Sequence, residues 1–446
     1  MAPSPRPGDG LRPGSHAESK KPLRFLCSCH SRLGTTKDEN GVYVGTGRGN
    51  RAPTRVGIVG AGEPRPGGDW ECYFRGSLGK VLLLLLACLL LLSACGAAAP
   101  ATNVPTEVPT ATPTIAPTAP ATGAQPPSAA ASAEQPITVV PLAGSDAGPV
   151  AGPSAEYSGL AWYGDWLILL PQYPGRFQGG SDGAQLALAR ADVLGFLDGT
   201  STAPLEARPV PFSAPGVAAD VAGFEGYEAI AFDGDRAYLT IEAAPPGGEM
   251  RAYLLMGDMA SDLSGLSLDP ESRVTIPMPV QSGNKSYESL LLAGDQVLAL
   301  YEANGLALSP EPAAEAFHLD LAPAGSLPFP QVEYRITDAT ALDAEGHFWA
   351  INYFFPGEPE LKPAVDPLAQ EYGQGPTHAQ YEYVERLIEL EYTPSGIHLV
   401  DRPPIQLALI AEDARNWEGI ARLDGRGFLL VTDKFPETIL AFVPGP

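Results

Sequence analysis

Five segments of the chain share one pattern, and an oxygen-bearing side chain stands at the same position in each. The segments are residues 157–170, 227–240, 287–300, 337–350 and 417–430. Their second residues are Ser158, Glu228, Glu288, Asp338 and Glu418. Four carboxylates brought to one axis would repel one another, and their pKa values would rise unless a cation lay between them. Oxygen ligands of this kind suit Ca²⁺ better than Zn²⁺, so the five residues are predicted to bind Ca²⁺. The alternative is that they accept backbone hydrogen bonds and bind no metal.

The elements that must position these residues are β-strands. Each segment reads as a hairpin, with a short strand, a turn and an apolar second strand. Further strand-like runs follow; after the third hairpin they are residues 316–321 and 332–336. Only residues 438–443 follow the fifth hairpin, and residues 137–142 can supply its missing strand. Four-stranded units in series, closed in this way, predict an all-β fold, a five-bladed β-propeller over residues 136–446. A sixth blade has room only between the fourth and fifth hairpins, and an irregular β-sandwich is the alternative fold.

Other polar residues are expected on the same face as the acids, because the loop after each second strand returns there. The candidates for a substrate face are Arg176, Glu242, Glu302, Asn352, His378, Arg415, Asp433 and Lys434. Arg and Lys would suit an anion bridged to the metal, and paired carboxylates would suit glycoside hydrolysis. Solvated loop charges are the simpler explanation of the same residues.

This arrangement of acids resembles the calcium-dependent apyrases, a family of five-bladed propellers. In that family Ser or Glu at the start of each innermost strand surrounds one axial Ca²⁺. Ser158, Glu228, Glu288 and Glu418 match the pattern, whereas Asp338 stands where the family more often has Ser. The resemblance covers the repeat skeleton only, so nucleotide hydrolysis is not carried over. Residues 417–421 and 429–433 are also locally similar to secreted phytase-like and esterase-like propellers.

Charge and cysteine content exclude several classes of function. Residues 1–80 hold 13 Lys+Arg against 7 Asp+Glu, and residues 81–446 hold 15 against 45. A chain this acidic is not expected to bind nucleic acid, because phosphate contacts need Lys and Arg. All 5 cysteines lie within residues 1–95, so residues 96–446 can form no disulfide and hold no thiolate nucleophile. Walker loops and His-Glu-x-x-His motifs are absent as well.

An apolar run, residues 81–94, follows Lys80 and ends in Leu92-Ser93-Ala94-Cys95. The run is short for a membrane span and typical of a signal-peptide h-region. It resembles the bacterial lipobox, whose cysteine is acylated and becomes the first residue of the mature protein. We therefore expect a lipoprotein signal peptide over residues 78–94, lipidation at Cys95, and an Ala/Pro/Thr-rich stalk over residues 95–135. Residues 1–77 are interpreted as a leader that is disordered or precedes the true start; a transmembrane anchor is the alternative to the lipid.

These features predict an exported monomer, anchored to the bacterial cell membrane through Cys95, with its domain outside the cytoplasm. Three classes of function stay open at this point. One is a binding or scaffold module with Ca²⁺ on its axis, and the second is a metal-dependent hydrolase of phosphoesters or glycosides. The third is a surface platform for other proteins. Across these three classes, the expected partner is a small molecule, a glycan or a surface protein.

Overall fold

The computed structural model describes residues 132–144, 148–152, 154–410, 414–423 and 425–446, together with two short strands near the N-terminus. Those two strands, Thr35–Lys37 and Tyr43–Gly45, pair antiparallel with each other. The chain divides into two compact units, residues 1–116 and 117–446, and the strand pair belongs to the first. The predicted signal peptide, Cys95 and the stalk up to residue 131 lie outside the described residues. Within the described part no helix is long and apolar enough to cross a membrane.

All five predicted hairpins are present, and each begins a group of strands that we call blades 1 to 5 in chain order. The hairpins are Tyr157–Tyr163 with Trp166–Pro171, Phe224–Asp233 with Arg236–Ala243, Tyr287–Ala293 with Gln296–Tyr301, Arg335–Ala339 with His347–Phe354, and Trp417–Leu423 with Gly427–Thr432. Every pair is antiparallel, as expected for consecutive strands that form a hairpin.

The outer strands complete each blade. They are Ala184–Ala189 and Arg208–Ser213 in blade 1, Arg251–Met259 and Val274–Ile276 in blade 2, Ala313–His318 and Pro323–Pro328 in blade 3, Val384–Thr393, Gly396–Leu399 and Ile405–Leu407 in blade 4, and Leu440–Pro444 with Thr138–Val140 in blade 5. The last pairing is antiparallel, with Leu440 opposite Val140. The predicted closure of the last blade by a strand near the domain's N-terminus is therefore confirmed.

Short parallel pairings and helices fill the connections. Leu266–Leu268 joins blade 2 to Arg208–Ser213 of blade 1, Glu134–Gln135 pairs with Ile405–Leu407, and Leu142–Ala143 pairs with Leu205–Glu206. The α-helices of the described part are Arg190–Leu197, Val217–Asp220 and Pro367–Tyr372, and its 3₁₀ turns are Pro174–Arg176, Pro270–Ser272 and Pro359–Leu361. No described strand lies between Phe354 and Val384, where a sixth blade had room.

One strand assignment was wrong. The outer strand of blade 3 is Pro323–Pro328, whereas residues 332–336, predicted for that place, run into the first strand of blade 4 at Arg335–Ala339. The segment Pro-Ala-Gly-Ser-Leu-Pro carries strand-breaking residues, and these are tolerated because it is an edge strand that needs to donate fewer ladder hydrogen bonds.

The blades close into a ring. In the described residues the buried apolar side chains form five clusters, and each cluster fills the space between two neighbouring blades, including blades 5 and 1. A central cavity of about 220 Å³ is lined by residues of every first strand, with Leu160, Ile230, Leu290, Ala339 and Ile420 as examples. First strands around an axial cavity, with sheets packed face to face around it, define a β-propeller. The predicted all-β propeller fold is confirmed.

Candidate functional site

A β-bulge positions each of the five predicted ligand residues. The antiparallel register slips between Tyr157 and Gly159, between Tyr227 and Ile230, between Tyr287 and Ser289, between Ile336 and Ala339, and between Trp417 and Gly419. The residues inside these slips include Ser158, Glu228, Glu288, Asp338 and Glu418. A bulge leaves its extra residue out of the ladder and re-aims the side chain. The same local defect, repeated in every blade, therefore presents a polar side chain at the same end of every first strand.

Two of the five residues are hydrogen-bonded to the backbone of a neighbouring blade. Ser158 Oγ donates to the carbonyl of Tyr227 at 2.6 Å. Asp338 accepts from the backbone N–H groups of Ala339 and Ile420, both at 2.8 Å. Burial raises the pKa of Asp338 well above its usual range, and these N–H donors oppose that rise. Both side chains thus tie one blade to the next.

Thr337 shares the bulge with Asp338, and its contact matches that of Ser158. Its Oγ1 donates to the carbonyl of Trp417, the aromatic residue that opens the first strand of blade 5. Ser158 makes the corresponding bond to Tyr227, which occupies the same place in blade 2. By this contact Thr337, rather than Asp338, is the counterpart of Ser158 in blade 4. Sequence alignment of the hairpins missed it because the bulge in blade 4 holds two residues.

The three glutamates of the predicted set meet two more, Glu242 in the second strand of blade 2 and Glu302 directly after the second strand of blade 3. We call Glu228, Glu242, Glu288, Glu302 and Glu418 the acid cluster. Carboxylate oxygens of Glu242, Glu288 and Glu302 all lie within 4.8 Å of one another. Glu228 accepts from Gln172 Nε2 at 3.1 Å, and Glu418 accepts from Asn416 Nδ2 at 2.5 Å. Glu242 and Glu302 were predicted for the substrate face, and the structure places them among the predicted metal ligands.

Arg335 is the cationic side chain at the centre of this cluster, and sequence analysis missed it. Its guanidinium donates to Glu302 and, at 2.8 Å, to Glu288, and it lies 3.8 Å from Glu418. The side chain is only 6% exposed. Arg335 opens the first strand of blade 4, within the run that had been assigned to blade 3. The signal that the sequence offered for this residue was its position, three residues before Asp338 in the fourth hairpin.

One guanidinium does not neutralise five carboxylates, of which four are buried and the fifth, Glu418, is 14% exposed. Burial is the largest cause that raises the pKa of Glu228, Glu288 and Glu418 well above the usual range, and repulsion from neighbouring acids adds to it. Burial, followed by the Glu302 carboxylate, raises the pKa of Glu242 to about 7, although Arg335 and Lys285 oppose this shift. The cluster therefore takes up either protons or a further cation near neutral pH.

The donor set fits a hard divalent cation. Glu288 is 6% exposed, and its Oε2 has no hydrogen-bond partner among the described residues. A buried carboxylate oxygen without a partner costs free energy unless a ligand satisfies it. Carboxylate oxygens are the ligands that Ca²⁺ prefers, and Glu242, Glu288 and Glu302 are close enough to share one ion.

The other predicted face residues already have partners. Glu156 binds both Arg176 and Lys434, the latter at 3.1 Å. The buried candidates are bonded as follows: His378 to Glu134 at 3.0 Å, Arg415 to Glu385 at 2.8 Å, Asn352 to Arg386 at 2.8 Å, and Asp433 to the Phe435 N–H at 2.7 Å. These contacts fix loops and blade edges. The structure gathers Glu242 and Glu302 into the acid cluster, and it places Asp433 beside the cluster, because Asn416 bonds to both Asp433 and Glu418. The other candidates lie outside the cluster.

A second feature of this face is a cavity of about 380 Å³ between loops of blades 4 and 5. Arg335 lines it together with Tyr353, Phe355, Glu358 and Asn416. Because Arg335 contacts the acid cluster and Asn416 contacts Glu418, the cavity adjoins the cluster. Among the aromatic residues of its wall, Phe355, Tyr383 and Phe435 were not predicted as part of this face.

The pattern Gly-x-Ser-x-Gly, which marks the nucleophile of many serine hydrolases, occurs at residues 179–183 with Ser181 at its centre. It lies in the loop before the strand Ala184–Ala189, and Ser181 Oγ contacts Asp182 at 2.7 Å. A nucleophile elbow needs a turn from a strand into a helix. The string therefore gives no support to a serine-hydrolase site.

Comparison with known proteins leaves the family open. No protein-family model matches the chain, and no curated protein matches it. Among solved structures, a glucose dehydrogenase is similar at 15% identity over 70% of this chain and 99% of that chain, with a TM-score of 0.38. The soluble aldose sugar dehydrogenase from Escherichia coli is similar at 10% identity over 70% of this chain and 99% of that chain, with a TM-score of 0.37. A thermostable family-43 glycoside hydrolase is similar at 11% identity over 69% of this chain and 96% of that chain, with a TM-score of 0.37. Similarity at this level assigns neither a family nor an activity to this chain.

Proposed function

We propose that this protein is an exported, lipid-anchored propeller that binds Ca²⁺ in the acid cluster and acts as a binding or scaffold module. The observation that carries the metal is the unpartnered Oε2 of Glu288 within a group of five carboxylates, four of which are buried. Glu242, Glu288 and Glu302 would hold the ion. They come from blades 2 and 3, so the bound ion would join two blades at the mouth of the channel.

Thermal unfolding of the purified protein tests this proposal. The melting temperature is measured in EDTA and then with rising Ca²⁺, because an ion that binds only the folded state stabilises it with increasing concentration. At about 100 times the Kd the expected gain is about 2.7 kcal/mol, or a rise of roughly 5 °C for a domain of this size.

Two buried carboxylate variants make the test specific. Glu242→Gln removes a proposed ligand that does not contact Arg335 directly, and we expect it to lose the Ca²⁺-dependent rise. Asp338→Asn is the matched control, since Asp338 sits in a bulge but is bonded to backbone N–H groups. It should lower the melting temperature in EDTA and keep the Ca²⁺-dependent rise. An equal rise in Glu242→Gln, or no rise in the unsubstituted protein, would refute the metal site.

The lipid anchor is a separate part of the proposal, supported by the segment that ends in Leu92-Ser93-Ala94-Cys95. In a bacterial host we expect the protein to fractionate with membranes and to incorporate a clickable fatty acid. Cys95→Ser should abolish the labelling and stop signal-peptide processing, because the thiol is the acylated group. Unchanged labelling of Cys95→Ser would contradict lipidation at this residue.

A metal-dependent hydrolase of phosphoesters or glycosides is the second candidate. The observation that favours it is the group Glu242, Glu288 and Glu302, whose carboxylate oxygens lie within 4.8 Å of one another, together with the neighbouring cavity of about 380 Å³ that could admit a small substrate. Aryl phosphates and aryl glycosides are the first substrates to assay, with and without EDTA. Turnover that is lost in Glu242→Gln would support an enzyme, and a Ca²⁺-stabilised protein without turnover would leave the binding module.

A further inference from the structure

The cavity beside the acid cluster is walled by aromatic rings. Tyr353, Phe355, Tyr383 and Phe435 line it, and they come from strand ends and loops of blades 4 and 5. Phe355 is 46% exposed and Phe435 is 57% exposed, so both rings are open to a ligand. The volume of about 380 Å³ lies in the range of small-molecule sites, which are mostly apolar with a few polar groups that orient the ligand. The wall therefore suits a small apolar body, and its polar atoms decide what that body must carry.

Two hydrogen-bond donors of this wall have no partner among the described residues. Arg335 donates from Nε to Glu302 and from Nη2 to Glu288, which leaves its Nη1 unbonded. The hydroxyl of Tyr353 is unbonded as well, although the residue is only 4% exposed. Neither atom is enclosed by protein, in contrast to the unpartnered Oε2 of Glu288. Because both residues line the cavity, we take these two donors as the polar groups that a ligand there would meet.

Both groups act as donors at neutral pH. Burial raises the pKa of Tyr353 well above its usual range, so the phenol keeps its proton. A guanidinium has N–H donors and no acceptor. Polar groups in a largely buried place cost free energy when they stay unpaired, and an acceptor oxygen on a ligand would satisfy both.

The side-chain acceptors of the same wall are not available to a ligand. Glu358 Oε1 accepts from Lys285 Nζ at 2.5 Å, and Glu358 Oε2 is enclosed by protein. Asn416 Oδ1 is enclosed as well, while its Nδ2 donates to Glu418 at 2.5 Å. A ligand with many N–H or O–H donors, such as an amine or a sugar, would leave those donors unpaired against these side chains. The wall therefore favours a ligand that brings an acceptor and few donors.

The charges beside the cavity favour a neutral ligand over an ion. The Arg335 guanidinium lies within 3.8 Å of three carboxylates, those of Glu288, Glu302 and Glu418. An anion at Nη1 would gain one attraction and meet three repulsions, whereas a cation would be repelled by the guanidinium itself. A neutral carbonyl oxygen can accept from both free donors, because it has two lone pairs, and it meets neither repulsion.

We propose that this cavity binds a small neutral carbonyl compound. The oxygen would accept from Arg335 Nη1 and from the Tyr353 hydroxyl, and the apolar body would lie against Phe355, Tyr383 and Phe435. This ligand class extends the proposed role as a binding module and rests on that role, but it does not require the ion.

Titration of the purified protein, followed by NMR, tests the proposal with a pair of isosteres. Acetophenone and α-methylstyrene have nearly the same shape, but the first has a carbonyl oxygen where the second has a CH₂ group. A hydrogen bond from a charged donor corresponds to about tenfold in affinity or more, so acetophenone should bind at least about tenfold more tightly. Benzoate and benzylammonium are the charged probes of similar size, and each should bind more weakly than acetophenone.

Variants locate the binding. Tyr353→Phe removes one free donor without breaking a bond in the protein, so it should weaken acetophenone binding several-fold and leave α-methylstyrene unchanged. Tyr372→Phe is the matched control, because the Tyr372 hydroxyl donates to Asp401 at 2.7 Å on the surface and the residue does not line the cavity. It should leave both affinities unchanged. Phe435→Leu removes an exposed ring of the wall and should weaken both ligands, and circular dichroism of each variant checks folding.

The titrations are run in EDTA and again with Ca²⁺, which separates this site from the proposed metal site. Preference for acetophenone under both conditions, reduced in Tyr353→Phe, supports the carbonyl site whether or not Ca²⁺ binds. Three results would overturn it: equal affinity for the two isosteres, tighter binding of benzoate or benzylammonium, or an unchanged preference in Tyr353→Phe. Absence of acetophenone binding with intact Ca²⁺-dependent stabilisation would refute the carbonyl site alone, and the reverse would refute only the metal.

Discussion

Removal of the Arg335 guanidinium should destabilise the fold and increase its response to Ca²⁺. Arg335 contacts Glu288 at 2.8 Å, contacts Glu302, and lies 3.8 Å from Glu418, with a side chain only 6% exposed. At an effective dielectric constant of about 20, one such contact is worth about 4 kcal/mol before desolvation is counted. Breaking a buried pair by removing one partner typically costs 3–5 kcal/mol, because a charge is left without compensation. We therefore expect Arg335→Met to lower the free energy of unfolding by about 4 kcal/mol in EDTA at pH 7.

The assay is urea denaturation of the unsubstituted protein and of Arg335→Met, each in EDTA and in saturating Ca²⁺. Ca²⁺ would replace the missing positive charge, so the stabilisation that it gives should be larger in the variant. Arg426→Met is the matched control, because Arg426 pairs with Asp198 at 2.6 Å on the surface. Its denaturation midpoint should stay close to that of the unsubstituted protein.

The outcome depends on whether the cluster is truly short of positive charge. A loss below about 1 kcal/mol in Arg335→Met would mean that the acids are protonated or solvated, and that the guanidinium is not needed. A Ca²⁺ response smaller than that of the unsubstituted protein would mean that Arg335 helps to build the ion site instead of sharing its charge. Either result would refute the reasoning, provided that the control variant Arg426→Met keeps the denaturation midpoint of the unsubstituted protein.

Two further predictions concern the pH dependence of stability and the closure of the ring. Without divalent cations, the free energy of unfolding should rise as the pH falls from 8 towards 5, because Glu242, with a folded pKa of about 7 against 4.5, binds its proton more tightly when folded. This difference in pKa corresponds to a gain in stability of about 3 kcal/mol at low pH, and urea titrations across this range should show a smaller gain in Glu242→Gln. A free energy of unfolding that increases with pH would contradict the raised pKa. Val140→Asp places a charge at a buried position opposite Leu440, so we expect a loss of about 3 kcal/mol or more in urea and earlier proteolysis at the N-terminal strand. An unchanged denaturation midpoint would show that this strand does not close the ring.

The architecture was largely readable from the sequence, because it rests on local patterns. Five hairpins recur with an apolar second strand and a turn, and each of those elements is specified by residues close together in the chain. The closing strand could be predicted because the fifth hairpin was followed by one strand too few. The polar position at the start of each first strand was also readable, since the same bulge recurs in all five hairpins.

The composition of the site was decided by tertiary packing. Arg335 and Glu288 are 47 positions apart, and their contact exists only because the first strands of blades 3 and 4 pack side by side. The exchange of Asp338 for Thr337 as the counterpart of Ser158 depends on the bulge in blade 4, which holds two residues where the bulge in blade 1 holds one, and no pattern of apolar residues reveals this difference. The aromatic cavity likewise gathers loops at residues 353–358, 383 and 414–416 and at Phe435. The sequence alone therefore determined the propeller and which positions face its axis, because strand periodicity is local. Only the packing of the blades decided which charges meet there, because the distance between two side chains on different strands depends on how the sheets rotate about a common axis.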